Sequence, residues 1–147
     1  MRGAWASVFL LAVGCGDVGE DSTSQIKIVG DRIPVALTSL VGDPERGRLI
    51  FTERESGHCV LCHQVDTLEA EFQGNLGPNL SRVGDRLTLE QLRLRVVDYQ
   101  LIKPGAVMPS YYREDELYNV GAEYIGETFL SRQDIEDVIA YLAVQKG

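Results

Sequence analysis

Cys59, Val60, Leu61, Cys62 and His63 stand consecutively in this 147-residue chain, two thiols with two residues between them and an imidazole directly behind. That spacing lets both sulfurs face the two vinyl positions of one macrocycle, and the adjacent imidazole then falls under the iron at its centre. It is the attachment pattern of a c-type haem. Three plainer readings compete. A zinc site needs about four ligands in a tetrahedron, and outside this run the chain offers only Cys15 and His58. A thioredoxin-like redox pair needs a βαβ setting, which the helical pattern below does not supply. A disulfide between Cys59 and Cys62 suits an oxidising compartment but leaves His63 without a task. One covalent haem c uses all three side chains and is the cofactor expected.

An iron ligated by His63 normally takes its other axial ligand from His, Met, Cys or Tyr. Apart from Met1 the chain holds a single methionine, Met108, in the loop Lys103-Pro104-Gly105-Ala106-Val107-Met108-Pro109. The alternative is a methionine that only fills core space. A lone methionine beside proline on a loop instead suits the presentation of a thioether to iron. His58 is the rival ligand, but its backbone is tied to Cys59 and cannot swing to the opposite face of the same ring, so it reads as a partly exposed surface residue. His63 and Met108 as the two iron ligands would make the metal six-coordinate and raise its potential. Such a centre moves electrons rather than binding substrate.

Three helices must position these groups. The first opens at Asp43-Pro44, where aspartate caps free amides and proline fits the first helical position, and runs to about Glu53. The second opens at Thr88, with Gln91 completing a capping box and Leu89, Leu92, Val96 and Val97 as its buried stripe. The third opens at Ser131, with Asp134 as an acidic variant of the box and Ile135, Val138, Ile139 and Leu142 at helical spacing. Lys146 is expected to favour its C-terminal dipole. Ile26 to Leu40 reads as an extended lead-in. Loops such as Gly74–Pro78 and Lys103–Pro109 are more irregular than an apolar core of this size tolerates, so something other than side chains should fill the middle.

The ends and the charge set the context. Residues 1–14 read as a signal peptide, with Arg2 ahead of an apolar stretch. Leu11-Ala12-Val13-Gly14-Cys15 resembles a lipobox, in which cleavage precedes an acylated Cys15; an ordinary signal peptide cut nearby is the other reading. Residues 15–25 are polar enough for a flexible tether, and 26–147 form one domain. The expected location is periplasmic, with a membrane tether through Cys15 if it is acylated. Acidic residues outnumber basic ones 22 to 14, for a formal charge of -8. That balance argues against a nucleic-acid partner.

With these residues in order, the chain resembles the class I c-type cytochromes, which implies an all-α fold of helices and loops wrapped around one covalently bound haem. Gly47, Phe51 and Tyr141 look like that family's helix crossing. Gly77-Pro78-Asn79-Leu80 resembles the loop whose proline carbonyl orients the proximal histidine, which adds Pro78 to Cys59, Cys62, His63 and Met108 among the cofactor-binding residues. A narrower resemblance is to the SoxX family, mono-haem cytochrome subunits of SoxAX complexes. It is carried by Asp31-Arg32-Ile33-Pro34, Leu37-Thr38, Gly42-Asp43-Pro44-Glu45-Arg46-Gly47-Arg48, Val107-Met108-Pro109, Tyr111-Tyr112 and the run Gln133 to Leu142.

This resemblance implies a heterodimer with a SoxA-type cytochrome subunit, within an enzyme that joins thiosulfate oxidatively to a carrier-protein cysteine. The catalytic site would lie on SoxA and none on this chain, which would relay electrons to a downstream acceptor cytochrome. The competing expectation is a free-standing periplasmic electron shuttle; a haem-based gas sensor would need an open iron position. Tyr111, Tyr112, Tyr118 and Tyr124 follow the Met108 loop and would serve a subunit interface, tyrosine being favoured there; alternatively some of them cover the haem.

Overall fold

The structure, a computed structural model, describes residues 26–114 and 120–147. The leader, Cys15, the tether at 15–25 and Tyr118 lie outside the described residues. Among the described residues four α-helices follow in order: α1 Pro44–Thr52, α2 Val83–Arg86, α3 Leu89–Asp98 and α4 Arg132–Ala143, with single 3-10 turns at Cys59–Leu61, Tyr99–Leu101 and Ala122–Tyr124. Among the described residues there is no sheet, only an isolated bridge between Val29 and Arg32. The all-α expectation therefore holds.

The caps read from the sequence do their work. The Asp43 carboxylate accepts from the amides of Glu45 and Arg46 at 2.9 and 3.4 Å, with Pro44 at the first turn of α1. Thr88 and Gln91 form a reciprocal box at the start of α3, as do Ser131 and Asp134 at the start of α4. Each satisfies amides that an open helix end leaves free. Two details differ from expectation. Leu89, at the open first turn of α3, is half exposed, and the buried stripe is Leu92, Val96 and Val97 together with Leu94. The last turn of α4 carries no basic residue, since the helix ends at Ala143 and Lys146 lies beyond it.

α1 and α4 cross where Gly47 sits. A Cβ there would stand 2.5 Å from the Asp137 carbonyl carbon and 2.9 Å from the Tyr141 Cβ, closer than real side chains pack. Only glycine admits this approach. Phe51 and Tyr141 close the contact with ring centroids 5.4 Å apart. Asp137, fully buried, accepts from the Asp43 amide and the Gln133 side chain, each at 2.8 Å. Arg46 Nε lies 3.0 Å from its other oxygen, an ion-pair contact without hydrogen-bond alignment.

α3 meets α4 across a buried ion pair. Arg93 donates to Glu136 through Nε at 2.7 Å and Nη2 at 2.9 Å, with both side chains under a tenth exposed. The geometry is bidentate, and neighbours use the remaining capacity. Arg93 Nη1 donates to the Ile33 carbonyl at 2.8 Å, and Glu136 Oε1 also accepts from the Leu37 amide at 2.8 Å. The extended lead-in is thereby strapped across both helices, with Ile33 and Leu37 buried in the core.

Candidate functional site

The Cys59–Leu61 turn is opened by His58, half-buried and in the left-handed region at φ 45°. The Cys59 carbonyl accepts from the amides of both Cys62 and His63, at 3.0 and 2.9 Å, so the two sulfurs and the imidazole leave a single turn. Val60 is buried and anchors that turn to the core, while Leu61 stays largely exposed. Both Cys59 and Cys62 are free thiols. Burial pushes the Cys59 thiol up to about 12, against a smaller pull downward from the Tyr111 hydroxyl.

His63 is buried, and its orientation follows from backbone alone. Nδ1 lies 2.8 Å from the Pro78 carbonyl oxygen. A carbonyl can only accept, so Nδ1 carries the proton and Nε2 keeps a lone pair, the tautomer a metal ligand needs. Gly77 lies flat against the ring. Any Cβ there would come within 2.6 Å of Nδ1, and its amide donates to the Cys62 carbonyl at 2.8 Å. Sequence reasoning took Pro78 as the orienting residue and Gly77 only as its neighbour in the loop; a glycine immediately before that proline was the available signal that the backbone approaches the imidazole closely.

Met108 is half-buried and packs against the hydrophobic core. Its loop is held at both ends. At the entry, a tight turn is closed by the Lys103 amide on the Tyr99 carbonyl at 2.9 Å and the Ala106 amide on the Lys103 carbonyl at 3.1 Å. At the exit, the Val97 carbonyl at the end of α3 accepts from Ser110 Oγ at 2.9 Å and from the amides of Tyr111 and Tyr112, each at 3.2 Å. Arg113 then donates through Nε, at 3.1 Å, and Nη2 to the buried carboxylate of Asp98. Neither Asp98 nor Arg113 was singled out by sequence reasoning, since helix-end charges ordinarily face solvent.

The described tyrosines after this loop do not form one surface patch. Tyr111 is buried, and its hydroxyl donates to the Gly57 carbonyl at 3.0 Å. Its ring meets Phe129 edge-on at 5.7 Å. Tyr112 is half-buried and its hydroxyl accepts from Arg132 Nε at 2.6 Å. Tyr124 is exposed. Among the described tyrosines, burial takes Tyr111 out of the expected interface, which leaves it to the other reading, a residue turned inward.

The structure thus gathers Cys59, Cys62, His63, Gly77 and Pro78 into one contact set and ties the Met108 loop to it through Tyr111 and Gly57. A family model described as Cytochrome c matches residues 44–146. The chain belongs to the cytochrome c family. Its thiol pair Cys59 and Cys62 accordingly implies covalent haem c, and the donor set fits that group: two thiols from one turn, and an imidazole whose outer nitrogen is left free to ligate. Among solved structures, this cytochrome is similar to a chain in the crystal structure of SoxXA from P. pantotrophus, at 35% identity, covering 83% of this chain and 95% of that one with a TM-score of 0.76. It also matches the c-type cytochrome SorU from Sinorhizobium meliloti at 26% identity, covering 71% and 91% of the two chains with a TM-score of 0.46. A search of curated proteins gives no match.

Proposed function

We propose that this cytochrome is the electron-relay subunit of a SoxAX-type complex, paired with a SoxA-type cytochrome that carries the catalytic site. The observation that carries the reading is the extent of the SoxXA likeness. It covers 83% of the chain, more than the region from residue 44 to the C-terminus can supply. It therefore reaches past the start of the general cytochrome match into the preceding segment, where the strap through Ile33 and Leu37 lies.

In the proposed reaction a carrier-protein thiol and thiosulfate are joined by a new S–S bond, with loss of one proton and two electrons. The relay subunit accepts those electrons singly and passes them to a downstream cytochrome. Haem c, held through Cys59 and Cys62, supplies a one-electron iron couple when bound. In this proposal His63 Nε2 and the Met108 thioether would hold the iron. Pro78 fixes the imidazole proton on Nδ1, and the strapped helices hold both ligand-bearing segments against one core. The leader, the tether and a periplasmic address, with or without acylation of Cys15, belong to the same proposal.

The test is to purify the tagged protein from its native host, stain co-purifying chains for haem, and add thiosulfate with the carrier protein. A second haem-bearing chain and thiosulfate-dependent reduction are expected. A lone cytochrome indifferent to thiosulfate would make it a free-standing electron shuttle. Fractionating the same cells reads the anchor: a membrane-bound fraction released by Cys15→Ser supports acylation, and a wild-type protein found wholly in the soluble fraction ends it.

A further inference from the structure

Tyr111 is the point at which three segments that share no helix are joined. Its amide donates to the Val97 carbonyl at the end of α3, and its carbonyl accepts from the Leu130 amide just ahead of α4 at 3.0 Å. Its hydroxyl reaches 54 positions back to the Gly57 carbonyl, two residues before Cys59. The side chain is 7% exposed, so this bond is made out of water, where an abandoned carbonyl would have no substitute partner. Met108 lies three residues before Tyr111. Whatever fixes Tyr111 against Gly57 therefore fixes the separation between the methionine loop and the turn bearing both cysteines.

We infer that Tyr111 is a positioning residue for the Met108 thioether: its hydroxyl bond to Gly57 holds the methionine loop against the turn that bears Cys59 and Cys62. The inference rests on Met108 as the axial ligand. The hydroxyl takes no part in electron transfer and acts only through the loop. Ser110, next to it, makes a bond of similar length, but to Val97 at the loop's own base. That bond ties the loop to α3 and not to the attachment turn.

This contrast gives the experiment. Tyr111→Phe keeps the ring and its packing on Phe129 and removes the hydroxyl with its bond to Gly57; Ser110→Ala removes only the Ser110 bond to α3. Both are compared with wild type and with Met108→Ala as the ferric holoprotein, using two readouts. One is the far-red absorption band of a thioether-ligated ferric iron. The other is the apparent affinity for added imidazole, which competes for the position that methionine leaves and so reports the open fraction.

Tyr111→Phe is expected to raise imidazole affinity roughly two- to tenfold, the change that follows from losing one ordinary hydrogen bond. Its far-red band should persist in the absence of imidazole, and Ser110→Ala should stay within about twofold of wild type. Met108→Ala should lose the band outright. If Met108→Ala loses the band while Tyr111→Phe binds imidazole as wild type does, the positioning role is wrong and the ligand assignment stands. An unchanged spectrum in Met108→Ala overturns both. Equal gains in Tyr111→Phe and Ser110→Ala would show general loosening of the loop and also overturn the role assigned to Tyr111.

Discussion

On the His63 side of the site, backbone groups grip the imidazole itself: the Pro78 carbonyl accepts its Nδ1 hydrogen bond and Gly77 lies against its ring. On the Met108 side the order is reversed. Side chains at the loop's exit reach out to other segments, Ser110 to the Val97 carbonyl, Tyr111 to the Gly57 carbonyl and Arg113 to the Asp98 carboxylate, while Met108 itself packs against the hydrophobic core. A backbone grip fixes direction atom by atom and leaves little room for substitution nearby. A loop held by its shoulders fixes position and leaves the flexible methionine side chain to find its own angle.

The comparison breaks most readily at Gly77. Gly77→Ala places a methyl where the imidazole stands, so the ring must move and surrender its bond to Pro78. Holoprotein stability should fall by about 3 kcal/mol in chemical unfolding, combining overpacking with an unsatisfied carbonyl. A loss under about 1 kcal/mol would mean that the ring is not gripped as described.

On the other side, Arg113→Met leaves the Asp98 carboxylate buried without its cation. Breaking a buried pair costs up to about 5 kcal/mol, but Arg113 is about a quarter exposed, and about 2 kcal/mol is expected once that is discounted. The far-red band of the ferric protein should weaken while the cysteine attachments, read as haem retained on denaturing gels, stay intact. Loss of covalent haem in this variant would show that the two sides are not separately built.

The smallest expected effect is at alkaline pH. Burial raises the Tyr111 and Tyr141 hydroxyls above the ordinary 10.0. Above that value the unfolded chain releases protons that the native protein retains, so this stability is complete below pH 10.0 and is lost as pH climbs beyond it. Each tyrosine contributes at most about 1.4 kcal/mol per pH unit to the slope. Tyr111→Phe should flatten the decline more than Tyr141→Phe, because the Tyr111 hydroxyl is the more strongly shifted. Equal slopes in both variants would place the two hydroxyls in equivalent surroundings.

What could be read in advance follows the range of each signal. The three longer helices were legible because a cap and its partner lie within three residues, as at Asp43, Thr88 and Ser131. The thiol pair and His63 were legible for the same reason. α2 was missed because it spans one turn, contains Gly84 and has no side-chain cap. The strap was read only as extended chain. What fixes it is Arg93 with Glu136, residues 43 positions apart that each resemble an ordinary solvated charge on a helix. Tyr111 misled in the opposite sense: a tyrosine-rich run looks like surface until its hydroxyl finds a carbonyl 54 residues away.

The glycine crossing of α1 with α4 also bears on the order in which the molecule is made. Gly47 needs the backbone of Asp137 beside it, so the contact closes a loop spanning most of the domain and cannot form until nearly all the chain is present. Long closures of this kind are reached late because their entropy must be met before any contact repays it. Cys59 and Cys62 lie inside that loop. In an unfinished chain the α1–α4 crossing has therefore not yet closed around these two thiols.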